Sequence, residues 1–304
     1  MSRRTLFATL VVVAWISMLG LHVRREYFQP ELARLAAATL ALNPGTNFYA
    51  LTMNGRSVGQ ASSALDTVPD GFRLDDLMSL ELPALGQTGT AVARTSVELS
   101  PALLMKAFEF SLDSEVGRFE ASGSVEADTL LTVRIRSQGS EQSVEFRLEQ
   151  PPVFSAIVPI RLAMSGELEV GNRVRFPVFD PSSMSTRNVE VRVLGRDTLV
   201  IPDSVETGPD GRWRAASYDT VPAYRIAEVF GGVSVESWID EDGRTLRASS
   251  PLGFAMDKTE YELAQQAQFE ARSLASRGID DDVILSTAIR SNVDLSDAEE
   301  YDEV

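Results

Sequence analysis

The chain of 304 residues contains no cysteine and a single histidine, His22. Without cysteine it can form no disulfide, carries no thiolate nucleophile and cannot hold zinc or an iron–sulfur cluster through sulfur. A bacterial lipoprotein anchor, which needs a lipidated cysteine, is excluded as well. Because His22 lies at the end of an apolar run, no histidine is placed for a Ser-His-Asp triad or a histidine-based metal site.

Positive charge is also scarce. The 28 basic residues face 44 acidic ones, which gives a net charge of −16. Such a charge repels phosphate backbones and anionic lipid surfaces, so we expect no nucleic-acid partner. The hydrophobic fraction of 44% is that of a protein with a real core, and the length suits one large domain or two small ones.

An uncharged stretch runs from Thr5 to Val23, with two arginines on either side of it. About 20 apolar residues span a bilayer as a helix. The alternative is a cleaved signal peptide, but the best cut site, "SMLG", places Met18 where a small residue is needed. We therefore predict a transmembrane anchor at residues 1–25. The protein would be single-pass in the cytoplasmic membrane, with its acidic body in the periplasm or outside the cell.

Residues 26–45 are predicted to form a helical linker. Pro30 suits a first helical position, and Asn43-Pro44-Gly45 is a stop signal. The residues Leu32, Leu35, Thr39 and Leu42 fall on one face of this helix. Two alternatives stay open, a spacer packed on the body and a short self-association stalk.

From residue 46 to residue 256 the dominant period is two. Apolar residues alternate with polar ones in runs such as Leu131-Val133-Ile135, Val144-Phe146-Leu148, Val189-Val191-Val193 and Phe108-Phe110-Leu112. This pattern indicates antiparallel strands with one face buried and one face in water. The predicted fold class is mainly β: a large curled antiparallel sheet or unclosed β-barrel, with the N-terminal transmembrane helix and one or two peripheral helices.

Turn residues separate the runs. The stretch "ALTMNGRSVGQASSALD" is predicted to be a hairpin with a tight turn at Asn54-Gly55 and either a bulge or a close backbone approach at Gly59. Further turns are expected at Pro69-Asp70-Gly71, Ser122-Gly123, Gln138-Gly139, Pro209-Asp210-Gly211 and Asp242-Gly243. Many strands joined by short turns favour a continuous sheet over βαβ units.

Two segments break the β pattern. The apolar stretch "PVFSAIVPIRLAMS" ending at Ser165 is expected to be a short helix or loop over the apolar face. Residues 257–279 are predicted to be a C-terminal helix, with Asp257 and Glu260 resembling a capping box. Residues 280–304 carry nine acidic residues and one arginine and are expected to be a disordered tail.

No residue is assigned as catalytic, cofactor-binding or metal-binding, and no cofactor is expected. The acidic cluster Asp240-Glu241-Asp242 suits either a calcium turn or a solvated hairpin turn, the latter being favoured because the EF-hand spacing is absent. Asp280 to Asp282 are read as helix capping, and Asp180-Pro181 as a turn between strands, with a carboxylate positioned in a cleft as the alternative. Four aromatic residues are ascribed mostly to packing, with ligand stacking as the alternative: Trp213, Tyr218, Tyr224 and Trp238.

Two segments, "YALTMNGRSVGQASSALD" and "GRTLRASSPLGFAMDKTEYELA", resemble the β-rich extracytoplasmic region of membrane-anchored bacterial transglutaminase-like proteins. The stretch "VPAYRIAEVFGGVSVESWIDEDGRTLRAS" is similar to the closing strands of periplasmic half-barrels of the LolA and LolB type. The resemblance covers most of residues 45–275 and implies the half-barrel fold. The Cys-His-Asp core of those enzymes has no counterpart here, so the sequence fits an accessory module or the front part of a longer product.

Two functions follow as hypotheses. The first is a non-catalytic, membrane-anchored extracytoplasmic scaffold or interaction module, with a transglutaminase-like or peptidase-like protein as its partner. The second is a periplasmic carrier of a hydrophobic, lipid-like ligand held on an apolar concave face. The discriminating observation is whether that face is filled by residues 153–164 and the C-terminal helix, or forms an open groove.

Overall fold

The structure is a computed structural model, and it describes residues 31–84, 87–115, 117–127, 129–137, 139–180, 185–230 and 233–276. Within these ranges lie three α-helices: α1 Glu31–Ala38, α2 Val158–Met164 and α3 Tyr261–Ser276. The first eight strands are β1 Gly45–Met53, β2 Arg56–Val68, β3 Gly71–Ala84, β4 Gln87–Leu99, β5 Met105–Ser114, β6 Gly117–Glu126, β7 Leu130–Ser137 and β8 Ser140–Arg147. The other seven are β9 Val153–Phe154, β10 Arg173–Asp180, β11 Ser185–Thr207, β12 Trp213–Phe230, β13 Val233–Ile239, β14 Thr245–Ser249 and β15 Phe254–Thr259.

All fifteen strands belong to one sheet, in the order β8-β7-β6-β5-β4-β3-β2-β1-β15-β14-β13-β12-β11-β10-β9. The chain starts in the middle with β1 and meanders outward to β8. It then reaches the opposite edge at β9 and meanders back until β15 pairs with β1. Every pairing is antiparallel except that of β9 with β10. The mainly β, antiparallel prediction is therefore confirmed.

The sheet is curled with its apolar face inside. Only residues 148–152 separate β8 from β9, so the two edges of the sheet lie within about 20 Å of each other. The rings of Phe108 on β5 and Phe179 on β10 meet at 5.2 Å across the interior. The curl is nevertheless unclosed, because β8 and β9 each have a single neighbour in the sheet.

The predicted alternation places the expected residues in the core. Leu131, Val133 and Val191 are fully buried, and Phe108 is nearly so. Phe146, on the edge strand β8, is only partly buried against this core. An edge strand has a neighbour on one side only, which explains why its apolar residues are covered less completely than the period alone suggests.

The apolar segment before Ser165 fills one end of the curled face. β9 leads through a 3₁₀ turn (Ser155–Ile157) into α2, and Ile157, Val158 and Leu162 are essentially inaccessible to solvent. The β13–β14 turn presses on this segment so closely that a side chain at Gly243 would meet the backbone of Ile160. The expectation of a short helix over the apolar face is confirmed.

The linker helix packs on the body. Leu35, Thr39 and Leu42 are buried, and Thr39 Oγ1 donates a hydrogen bond to the carbonyl of Pro101 at 2.7 Å. Leu32, expected on the same face, is 42% exposed. The described part of the linker therefore behaves as a spacer docked on the sheet, and its residues 26–30 lie outside the described ranges.

The C-terminal helix differs from the prediction at its start and in its position. It begins at Tyr261, because Asp257, Lys258 and Thr259 continue strand β15 in register with β1. Asp257 accepts a hydrogen bond from Arg247 Nε at 2.5 Å instead of forming a capping box. The helix covers the polar face of the sheet, where Gln268 and Arg272 donate to Glu81 at 2.8 Å and 3.0 Å.

Most predicted turns are confirmed and one is wrong. Asn54 and Gly55 have φ angles of 50° and 77°, as a tight two-residue hairpin requires, and the register shifts opposite Gly59. Ser122-Gly123, in contrast, lies inside β6. A side chain at Gly123 would collide with the Phe108 ring, so this glycine serves close packing and not chain reversal.

The predicted anchor, at residues 1–25, and the acidic tail, at residues 280–304, lie outside the described residues. No helix in the part of the chain that the structure describes is long and apolar enough to cross a membrane.

Candidate functional site

A groove of about 740 Å³ lies on the polar face of strands β2 to β8. Strong twist makes a sheet saddle-shaped, so a face that is convex along one direction can be concave along another. The cross-strand register places five of its lining residues in one row: Asp75, Ser96, Glu109, Ser122 and Arg134. Charged side chains thus alternate with small hydroxyl side chains along the groove.

The next two rows on this face carry charges that neutralise one another. Arg94 and Arg118 both contact Asp113, at 3.3 Å and 3.4 Å. Glu120 lies between Arg118 and Arg136, at 2.8 Å and 3.3 Å. The hydrogen bond to Glu141 and the charges of Glu141 and Glu120 raise the pKa of Arg136 above its ordinary value. This ladder forms one wall of the groove.

Unlike the charged side chains of this ladder, Glu109 and Arg134 make no ion pair and no side-chain hydrogen bond within the described ranges. They stand on either side of Ser122, two strands apart, which separates their Cα atoms by about 10 Å. Two opposite charges at this distance, with a hydroxyl between them, can hold a ligand that carries one group of each sign.

The apolar face has a much smaller cavity, of about 50 Å³. Its lining includes Tyr49, Ser63, Leu74, Ile160 and Arg244. The Tyr49 hydroxyl donates to the carbonyl of Thr245 at 3.1 Å, and burial raises the pKa of Tyr49 above its ordinary value. This volume suits one or two water molecules and is far below that of a ligand pocket.

Two carboxylates lie on the apolar face without a salt bridge in the described part of the chain. Burial raises the pKa of Asp76 to about 6, although a hydrogen bond with Ser63 opposes the shift. Asp76 Oδ1 has no hydrogen-bond partner among the described residues. Burial alone raises the pKa of Glu228 to about 7. The two residues are on β3 and β12, separated by five strands in the sheet order.

The acidic cluster serves as the turn between β13 and β14. Asp240 Oδ1 accepts hydrogen bonds from the backbone N–H groups of Asp242 and Arg244, at 3.0 Å and 2.8 Å. Within the described residues no group of three acidic or histidine side chains is placed to hold a metal ion. The hairpin interpretation fits this geometry. Asp280 to Asp282 and Pro181 lie outside the described ranges.

The four aromatic residues are spread along β12 and β13 and do not form one platform. Trp213 is at the far end of the β11–β12 hairpin, where its backbone bonds to the side chain of Gln266. Tyr224 lies under Arg196, whose guanidinium is 4.9 Å from the ring centroid. Trp238 donates through Nε1 to Asp197 at 2.7 Å. Trp213 and Tyr224 are eleven positions apart, or about 36 Å along an extended strand.

The groove is not apparent from the sequence, because each of its strands shows only the polar half of an ordinary alternation. One signal was present for Asp76: it falls between Leu74 and Met78 in the period-two pattern, which puts it on the apolar face. Glu228, two residues after the buried Ile226, carries the same signal.

No family model matches the chain, and no curated protein matches it. The solved structures that are similar to it include the following two. One is a β-barrel-like protein of the domain of unknown function DUF1849 from Brucella abortus, with 18% identity and a TM-score of 0.48 over 71% of this chain and 95% of that chain. The other is a DUF1089 family protein from Pseudomonas aeruginosa, with 12% identity and a TM-score of 0.37 over 64% and 91% of the two chains.

Proposed function

We propose that this protein is a non-catalytic, extracytoplasmic interaction module whose polar groove binds an extended polypeptide segment of a partner protein. The observation that carries the proposal is the row from Asp75 to Arg134, with its uncompensated Glu109 and Arg134. A peptide with a basic and an acidic side chain can satisfy both charges. Its backbone can bond to the hydroxyls of Ser96 and Ser122.

Side chains fill the apolar face of the sheet, and this favours an interaction module over a carrier that holds a lipid-like ligand on that face. Ile157, Val158 and Leu162 occupy one end of that face, and the cavity left beside them is about 50 Å³. Pockets for drug-sized ligands take roughly 300 Å³ or more. The C-terminal helix, which was expected to help plug the apolar face, covers the polar face and takes no part in this filling, whereas Leu42 after the linker helix contributes to it.

The location and the partner are further parts of the proposal. A membrane anchor and an extracytoplasmic body rest on the uncharged run from Thr5 to Val23. A transglutaminase-like or peptidase-like partner rests on the resemblance of the two sequence segments alone. The absence of cysteine supports a module without acyl-transfer activity of its own, since the usual thiolate nucleophile is missing.

The test uses fluorescent peptides about ten residues long, in a set that varies the spacing between one lysine and one glutamate. Their binding to the full-length chain is followed by fluorescence anisotropy. We expect a subset with the two charges at a matching spacing to bind, and Glu109→Ser with Arg134→Ser to weaken that binding by about tenfold or more.

A matched control is available outside the groove. Arg73 and Glu98 form an exposed ion pair at 3.2 Å on the same face and do not line the groove. Arg73→Ser with Glu98→Ser should leave peptide binding unchanged. Equal losses in the two double variants, or no binding by any peptide of the set, would reject the groove as the site.

A further inference from the structure

The edge strand β8 presents a free hydrogen-bonding edge. Its only neighbour in the sheet is β7, and residues 141–145 and 147 are exposed. Natural edge strands are usually protected by proline, a bulge, charged side chains (lysine above all), extreme shortness or a covering helix or loop. β8 has eight residues, pairs with β7 without a register shift and contains neither proline nor lysine, and its charged residues are of both signs, so they can pair across the edge with a second strand. The opposite edge, β9, has two residues.

The direction of the backbone groups on β8 follows from one hydrogen bond. Leu148 N–H donates to Thr129 O at 2.8 Å, on the side of β7. Because N–H groups alternate in direction along a strand, the even-numbered residues face β7. The N–H and C=O groups of Glu141, Ser143, Glu145 and Arg147 therefore point toward the open edge.

We propose that β8 pairs antiparallel with β8 of a second copy of this chain, about a two-fold axis at Val144. In this register Glu141 faces Arg147 of the second copy, and Ser143 faces Glu145. All four residues have outward backbone groups, so each pair exchanges two hydrogen bonds, about eight in total. The interface is isologous, as a closed two-fold dimer requires.

The charges of β8 favour a two-fold axis at Val144 over an axis one residue away on either side. With the axis at Ser143, Glu141 would face Glu145 of the second copy. With the axis at Glu145, Glu145 would face Glu145 of the second copy. Like charges directly opposite each other destabilise a strand pair, whereas opposite charges stabilise it. Arg147 has no ion-pair partner among the described residues, so it is available to Glu141 of the second copy. The polar faces of the two sheets would then be continuous.

The absence of cysteine makes a clean cross-linking test possible. Val144 meets its own copy in a non-hydrogen-bonded pair, where Cα atoms are about 4.5 Å apart, within disulfide range. In the matched control, Glu145→Cys, the two Cα atoms are about 9 Å apart because of the two-residue offset. We expect the full-length Val144→Cys chain, under mild oxidation, to form disulfide dimers at least tenfold faster than Glu145→Cys.

A charge exchange gives a second, independent measurement in the Val144→Cys background. Glu141→Arg or Arg147→Glu alone should slow cross-linking roughly fivefold to tenfold, since two symmetry-related pairs are reversed. The double exchange should restore the rate. Equal rates at positions 144 and 145, or no restoration by the double exchange, would overturn the proposal. A chain that stays monomeric and binds only foreign peptides along β8 would overturn it as well.

Discussion

The two faces of the same sheet treat carboxylates in opposite ways. On the polar face, hydrogen bonds from Arg192 at 2.8 Å and Arg175 at 3.1 Å lower the pKa of Glu190. On the apolar face, burial raises the pKa values of Asp76 and Glu228. On the polar face a paired carboxylate such as Glu190 stays ionised, whereas the apolar face holds two carboxylates without a salt bridge among the described residues, at a cost in stability. Charge on the polar face is therefore compatible with the folded state, whereas charge on the apolar face opposes folding.

The largest expected change in stability comes from a substitution on the apolar face. Leu162→Ala removes a fully buried side chain of α2 from the core. We expect it to lower the free energy of unfolding by about 2–5 kcal/mol, through lost apolar burial and the cavity left behind. Urea denaturation measures the change. Leu252→Ala, at a side chain that is 70% exposed, should change stability by less than about 0.5 kcal/mol. Similar costs at both positions would mean that α2 is peripheral.

The next effect concerns Asp76 and depends on pH. Its folded pKa of about 6 is above the ordinary value of 3.8, so the folded state binds more protons between these values. Stability should therefore fall as pH rises from about 4 to about 6. An asparagine at this position cannot ionise, so the Asp76→Asn variant does not lose this stability. We expect the difference in free energy of unfolding, variant minus wild type, to be about 3 kcal/mol larger at pH 7 than at pH 3.

Denaturation midpoints of the wild type and Asp76→Asn, taken at both pH values, measure that difference. Asp75→Asn, one residue away on the polar face, serves as the control and should show little change. An Asp76→Asn variant with the same pH dependence as the wild type would show that Asp76 is solvated.

A smaller effect is expected where α3 covers the polar face and excludes water. Glu81 is buried under α3 and accepts hydrogen bonds from Gln268, Arg272 and Thr90. Glu81→Ala should cost about 1–3 kcal/mol, because it leaves the amide of Gln268 unpaired. The substitution should speed amide hydrogen exchange in α3 more than it does in β7. Unchanged exchange in α3 would mean that small-residue contacts, such as those of Ala264 and Ala271, hold the helix without Glu81.

The smallest effect belongs to the exposed ion pairs of the polar face. Arg73 and Glu98 are about half exposed and 3.2 Å apart. A double-mutant cycle with Arg73→Ala and Glu98→Ala should give a coupling energy below about 1 kcal/mol that declines further in 0.5 M salt. A larger, salt-independent coupling would remove the contrast between the two faces.

The local sequence pattern was sufficient to predict the individual strands, but it was insufficient to predict how they pair in the sheet. The alternation around Val133 and Val191, and the turn at Asn54-Gly55, follow from neighbouring residues and were predicted correctly. The helix start was wrong because Asp257 to Thr259 suit both a capping segment and a strand. The choice between these is made by pairing with Phe48 to Ala50, some 200 residues earlier in the chain. The groove was not predictable for the same reason, since seven strands in register create it.

The pairing of β1 with β15 also determines how long one edge of β1 stays unpaired during translation. β1 to β8 can assemble as each hairpin emerges, but the second edge of β1 has no partner until residues 254–259 exist. At about 5–20 residues per second, translation of the intervening 200 residues takes roughly 10–40 seconds. During that interval the nascent chain exposes a strand edge that includes Tyr49 and Leu51, the kind of surface on which chains aggregate. A holding chaperone that shields this edge would thus raise the yield of folded protein more than one acting after release.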